Sequence, residues 1–222
     1  VCIAGNKVRV VIGDDLSRME ELEDDEVAII SINARRYGKG IMTRRFDKMS
    51  RMAFAEDKNI VLINQVGGAG DNVYDGTSGV INSEGKLELL LNSFEEDFRI
   101  FDTNADNKPF DVPFTTYNDR TRMIYKAACL GLRDYFLKNG YSKACVGLSG
   151  GIDSAVVACL AVGALGKENV RVLLMPSPFS PDQSVEDAKL LAENLGVEYS
   201  VLPIDAAYEA MVETLKPVIG GT

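Results

Sequence analysis

The chain has no histidine, no tryptophan and only four cysteines in 222 residues. The missing imidazole removes every His-based triad, His metal ligand and His general base. Cys2, Cys129, Cys145 and Cys159 form no CxxC pair and show no metal spacing. The last three stand among apolar neighbours, which predicts buried, reduced thiols of a cytoplasmic protein. Positive charge is scarce: 24 Lys+Arg against 33 Asp+Glu leave a net charge of -9. That argues against a nucleic-acid partner gripped through a broad basic face. No apolar run approaches the roughly 20 residues of a membrane span, so no membrane partner is expected.

What is present is ordinary for a globular protein, 46% hydrophobic and 26% charged. The first half alternates β-branched runs with one helical segment. Lys7–Ile12, Val27–Ile32 and Ile60–Asn64 read as strands, and Arg44–Glu56 as a helix. Gly67 to Asn72 reads as a loop by composition, and Ser83-Glu84-Gly85 as a turn between two further strands. Residues 103–117 are polar and carry Pro109 and Pro113, the composition of a linker between domains 1–102 and 118–222.

After the linker the pattern changes. Asn118 caps a helix whose expected buried stripe is Ile124, Ala128, Leu132 and Tyr135. Strands Ala144–Leu148, Val170–Met175 and Tyr199–Pro203 alternate with helices Asp153–Leu165, Ser184–Leu195 and Ala206–Leu215. The second of these helices is expected to open at Ser184 with Asp187 in capping-box position, and to close at Gly196. Regular alternation of strand and helix implies an α/β fold with a parallel sheet and crossover helices.

Chemistry concentrates at Ser149-Gly150-Gly151-Ile152-Asp153-Ser154, between an apolar strand and an apolar-faced helix. A strand-to-helix turn aims free backbone N–H groups at one point, and the helix dipole adds partial positive charge. Gly150 and Gly151 remove the Cβ atoms that would keep a phosphate away. Ser149 and Ser154 add hydroxyl donors. Asp153 repels phosphate unless a cation lies between them, which implies Mg²⁺ bridging to a polyphosphate. The loop lacks the lysine of a GxxxxGK[ST] motif. The plain alternative is a Gly-Gly turn with Asp153 as a helix cap.

The strand–SGGxDS–helix combination resembles the pyrophosphate loop of the N-type ATP-pyrophosphatases. Gly131-Leu132-Arg133-Asp134-Tyr135, Gly147-Leu148-Ser149 with the loop that follows, Ala164-Leu165-Gly166, Met175-Pro176-Ser177, Ser184 and Asp187-Ala188 narrow the resemblance to the NAD⁺ synthetase family. Asn64-Gln65-Val66-Gly67-Gly68, Tyr74-Asp75-Gly76-Thr77-Ser78 and Phe94-Glu95-Glu96-Asp97 resemble the nitrilase-like glutaminase domain of its glutamine-dependent branch.

The resemblance implies part of a nitrilase-like α-β-β-α sandwich followed by a Rossmann-like parallel-sheet ATP-pyrophosphatase domain, together an interior stretch of a longer protein. It implies ATP-dependent amidation of nicotinate adenine dinucleotide to NAD⁺, with adenylylation of the nicotinate carboxylate, release of pyrophosphate, and displacement of AMP by ammonia. ATP and Mg²⁺ are then the expected cofactors, and a homo-oligomer the expected assembly. ATP is expected on Gly147, Leu148, Ser149, Gly150, Gly151, Ile152, Asp153 and Ser154, with Met175 and Ser177 on the adenine side and Asp153 on the metal. Open α/β sheets bind ligands beyond the carboxyl ends of their strands, where Met175 and Ser177 stand.

The sequence departs from the family at two places. The glutaminase cysteine falls in an Ile-Cys-Glu-Asp stretch, and this chain reads Ile12-Gly13-Asp14-Asp15 there. Arg35-Arg36-Tyr37 replaces a Ser-Pro-aromatic run before Gly38-Lys39. With no thiol, glutaminase activity is not expected, and nitrogen is expected from free ammonia or a partner amidotransferase. Other readings are another ligase of the superfamily, such as a GMP synthetase or a tRNA-modifying enzyme, an amidohydrolase in the first half, and a non-catalytic assembly protein.

Overall fold

The computed structural model describes residues 1–3, 5–13, 23–102 and 120–220. The expected linker at 103–117, the capping residue Asn118, and Asp14 and Asp15 lie outside them. Contacts divide the chain into two compact units, Val1–Tyr135 and Phe136–Thr222.

The first unit is built on a six-stranded mixed sheet of order β1-β2-β3-β4-β7-β8. Its strands are β1 (Cys2–Ile3), β2 (Asn6–Ile12), β3 (Glu26–Asn33), β4 (Asn59–Asn64), β7 (Gly79–Ile81) and β8 (Leu87–Leu90). β2, β3 and β4 run parallel, and the outer pairs are antiparallel. Strand alternation separates two faces. Ile29, Ile60, Leu62 and Ile81 point to one face and are essentially inaccessible. They meet Met42, Phe46, Met49 and Ala53 of helix α1 (Ile41–Glu56) in one core cluster. Each such aliphatic side chain contributes about 1.5–3 kcal/mol by leaving water. On the opposite face Ile12, Ile32 and Ile63 stand side by side in register across β2, β3 and β4. These three side chains are 70%, 40% and 44% exposed. The described part of the first unit thus holds a helix layer and a sheet layer.

The stretch read as a loop at Gly67–Asn72 is a two-stranded antiparallel ribbon, β5 (Val66–Ala69) against β6 (Asn72–Asp75). Composition misled here. Glycines weaken a lone strand, but Gly67 at φ 126° is backbone that few other residues adopt. Helix α2 (Arg120–Lys138) buries Met123, Ala127 and Leu130 in the same core as α1. The expected stripe was therefore one residue out of phase, since Ile124 and Tyr135 are 50% and 59% exposed.

The second unit holds a separate three-stranded, all-parallel sheet of order β11-β10-β9. Strand β9 (Ala144–Gly147) is followed by α3 (Ile152–Leu165), β10 (Val170–Leu174) by α4 (Asp182–Leu195), and β11 (Glu198–Val201) by α5 (Asp205–Ile219). The α/β class, with a crossover helix between each pair of parallel strands in the second unit, is the one expected, and among the described residues no single sheet runs through both units. In α3, Ala158 and Ala161 are buried, while Val157 is 52% exposed. Helix α4 opens earlier than expected, behind Pro181, with no side-chain cap. Asp187 binds the Gln183 amide at 2.7 Å instead of completing a capping box. Gly196 closes α4 at φ 67° as expected. The cysteines correct a further expectation. Cys145 is exposed, Cys129 and Cys159 are half-buried, and none of the four is in a disulfide. No helix among the described residues is long and apolar enough to cross a membrane.

Candidate functional site

Strand β9 delivers the loop. Leu148 continues the ladder with its N–H on the Leu173 carbonyl at 2.8 Å and is 3% exposed, so the chain is anchored up to the point where it turns. Beyond it Ser149 is exposed, and Gly150 takes φ 81°. The turn is closed by its own hydroxyls. Ser154 Oγ accepts the Ser149 N–H at 3.1 Å, shares a hydrogen bond with Ser149 Oγ at 3.0 Å, and donates to the Gly151 carbonyl at 3.0 Å. The Gly151 N–H reaches Ser149 Oγ at 3.3 Å.

The first backbone bond of α3 is Ala155 N–H to the Gly151 carbonyl at 3.1 Å. The N–H groups of Ile152, Asp153 and Ser154 precede it and face outward at the positive end of the helix. Asp153 is the acidic residue of this first turn and is exposed. One carboxylate beside free N–H groups suits a cation that arrives already bound to a polyphosphate, because Mg²⁺ takes one or two protein carboxylates and completes its shell with phosphate and water. Among the described residues no group of three or more His, Cys, Asp or Glu forms a self-sufficient metal cage.

The end of β10 supplies the other wall. A cavity of about 70 Å³ is lined by Leu148, Ser149, Met175, Ser180, Ser184 and Val185, among others. Met175 reaches across to Gly147, where an added Cβ would lie 3.3 Å from its Cε. Ser177 does not line this cavity; its hydroxyl pairs with Ser180 Oγ at 3.1 Å and closes a turn of its own. Sequence reasoning took Ser184 for a helix opener and passed over Ser180. The signal available was that Ser184 stands where α4 begins, close to the ends of both strands.

A larger cavity of about 550 Å³ lies in the first unit, between Val61, Ile63 and Leu89 of the sheet and the segment carrying Glu95 and Phe98. Its wall is mostly apolar, with Asn64, Thr77, Glu95, Asp97 and Arg99 among its polar lining residues. At the end of β2, Gly13 takes φ 70°, and among the described residues no atom beyond its chain neighbours lies within 4 Å of where a Cβ would be. The Arg35 N–H is fixed to Asn64 Oδ1 at 2.8 Å. Asn64 in turn binds Asp75, and Asp75 binds Arg45 and Thr77, so the Asn64 and Asp75–Thr77 segments are joined by one buried polar network.

Residues 124–219 match the NAD synthase family. The glutamine-dependent NAD(+) synthetase of Synechocystis sp. is 36% identical over 206 residues, covering 90% of this chain and 36% of that protein. That of Thermotoga maritima is 33% identical over 260 residues, covering 100% of this chain and 45% of that protein. The solved structure of glutamine-dependent NAD+ synthetase from Acinetobacter baumannii in complex with ADP superposes with a TM-score of 0.80 at 29% identity, over 99% of this chain and 43% of that chain. The enzyme from Cytophaga hutchinsonii shares the fold, with a TM-score of 0.76 at 18% identity. The chain spans less than half the length of these relatives. Residues 124–219 are thus similar to the NAD synthase family, and the chain is similar along nearly its whole length to glutamine-dependent NAD(+) synthetases.

Proposed function

We propose that this chain contributes the adenylylating half of a ligase that converts nicotinate adenine dinucleotide to NAD⁺. In this reading residues 118–222 bind ATP, residues 1–102 are a nitrilase-like half, and residues 103–117 join them. The observation that carries the reading is the closed Ser149–Ser154 turn, presenting three N–H groups beside Asp153 at the end of a parallel strand.

A carboxylate is a poor electrophile, so the nicotinate oxygen first attacks the α-phosphorus of ATP. The bond to the bridging oxygen breaks and pyrophosphate leaves. Donors aimed at the departing charge lower that barrier, and they are most effective when fixed beforehand, as the serine pair fixes this loop. Gly150 and Gly151 let the polyphosphate approach the backbone. Asp153 would hold Mg²⁺, which neutralises the phosphate charge. Ammonia then attacks the mixed anhydride, and AMP leaves with the carboxyl oxygen it had activated. A homo-oligomer acting in the cytoplasm completes the reading.

The nitrogen source is the point on which this chain differs from the name its relatives carry. Hydrolysing glutamine in a nitrilase-like site requires a thiolate, and Gly13 supplies no side chain at that place. Ammonia, free or delivered by a partner amidotransferase, is the proposed donor. The test is NAD⁺ formation by the full-length protein with ammonium or with glutamine. Turnover with ammonium alone is expected, and an equal glutamine-supported rate with no partner added would overturn it.

A further inference from the structure

Asn139-Gly140 is the one Asn-Gly step in the sequence. It stands in the exposed turn that ends α2, inside the second unit. Asparagine before glycine is chemically labile. The glycine nitrogen gives up its proton and attacks the side-chain Cγ, the bond from Cγ to the amide nitrogen breaks, and ammonia leaves. Water then opens the cyclic imide on one side or the other, to aspartate or to isoaspartate, whose backbone is one methylene longer. Water is the only co-reactant.

The fold keeps this step shut. The Tyr141 N–H donates to the Phe136 carbonyl at 2.8 Å, and the Gly140 N–H to the Leu137 carbonyl at 3.2 Å. Gly140 takes φ 74°, the left-handed conformation that this pair of bonds requires. The Phe136 and Tyr141 rings meet edge to face, with centroids 6.0 Å apart, across the turn. Together these make a Schellman stop with its apolar clasp, formed wholly from residues 136–141. The nitrogen that would attack Asn139 is thus the one whose hydrogen is bonded to Leu137. That bond is the longer of the two, and Leu137 and Tyr141 are 68% and 56% exposed. Helix ends with few buried contacts open locally at far lower cost than the whole fold.

We propose that Asn139 is a latent deamidation site, gated by the Phe136–Tyr141 clasp. While the stop is shut the Gly140 nitrogen is occupied, and each opening of the last turn exposes it to attack. The product cannot rebuild the stop as it was. Aspartate places a negative charge at the negative end of the helix dipole. Isoaspartate inserts a methylene between the carbonyl acceptors and the two N–H donors, so both bonds no longer close in their present register. One chemical event thereby turns a tight helix end into a loose one. The site is independent of what the Ser149–Ser154 turn binds.

The experiment is incubation of the full chain at mildly alkaline pH, in buffer and in guanidinium, with conversion at Asn139 read by peptide mass spectrometry. Conversion in the folded chain is expected to be measurable and about tenfold slower than in the unfolded one, a local opening of about 1.4 kcal/mol. Tyr141→Ala removes one ring of the clasp and should speed the folded rate about threefold, the lower end of what an aromatic pair contributes. Tyr141→Phe keeps the ring and should match the parent. Asn139→Gln, one methylene longer, should silence the signal. Hydrogen–deuterium exchange of the converted chain should be faster at Gly140 and Tyr141, and unchanged exchange there would overturn the loosening. Equal folded and unfolded rates, which need no variant to measure, would overturn the gate, as would no acceleration in Tyr141→Ala. An unfolded chain that does not convert would overturn the site itself, and conversion in guanidinium alone, with none in either folded protein, would overturn the opening.

Discussion

Gly150 and Ser184 touch so closely that a Cβ on Gly150 would lie 2.1 Å from the Ser184 carbonyl oxygen. The obstacle is backbone, which cannot swing aside like a side chain, and Gly150 also sits at φ 81°. Gly150→Ala should therefore push the loop from the start of α4. Overpacking of this kind costs roughly 1–3 kcal/mol. We expect a lower urea midpoint and loss of ATP binding by calorimetry, whereas Gly151→Ala, whose Cβ would meet Ser149 Oγ at 3.5 Å, should cost much less stability.

Asp153 separates chemistry from folding. It is exposed and makes no cap hydrogen bond at the start of α3, so Asp153→Asn should change stability by no more than about 1 kcal/mol through the helix dipole. Pyrophosphate release by the full-length protein should fall by orders of magnitude, with the midpoint of thermal unfolding nearly unchanged. Release at the parental rate would remove the metal role from this residue.

Arg45 and Asp75 form a bridge at 2.8 Å with both side chains 3% exposed. Asp75 also accepts from Asn64 at 3.1 Å and from Thr77 at 3.1 Å. Removing one partner strands the other charge in the interior, which costs about 3–5 kcal/mol. Asp75→Ala should lose about that much in chemical denaturation. Arg45→Met combined with Asp75→Ala should lose less than the two single losses added together, because the stranded charge is gone.

The Glu26 carboxyl is held below its ordinary range, chiefly by the Arg9 guanidinium, which donates to both its oxygens at 2.7 Å, while burial pushes the other way. A lowered folded value means that the unfolded chain takes up the proton first. The contribution is therefore fully present above the ordinary value of 4.5 and is lost as pH falls through the lower, folded value. Glu26→Gln should lose less stability than the parent on acidification across that interval. Parallel pH profiles of the urea midpoint would count against it.

The Ser149–Ser154 turn was legible because its geometry is local. Strand, glycines, hydroxyls and helix start follow one another without a gap, and Leu148 to Ala155 fold on themselves. Ser180 and Ser184 were not legible, because they reach the loop through the strand order β11-β10-β9, a tertiary fact. The Gly67–Asn72 ribbon was hidden by composition. Its strands are held by pairing and by α2, whereas propensity registers only the glycines. The phase error in α2 has a different cause. Met123, Ala127 and Leu130 form a stripe as regular as the one through Ile124, Ala128 and Leu132, and periodicity alone does not choose between two apolar faces one residue apart.

The row formed by Ile12, Ile32 and Ile63 has a colloidal consequence. Three branched side chains in register make a flat, sticky stripe on parallel strands. In dilute buffer the charge of -9 keeps copies apart. At 1 M salt the repulsion reaches only about 3 Å while the stripes attract undiminished. Purified alone, this polypeptide should salt out early and reversibly, and should keep best at low ionic strength.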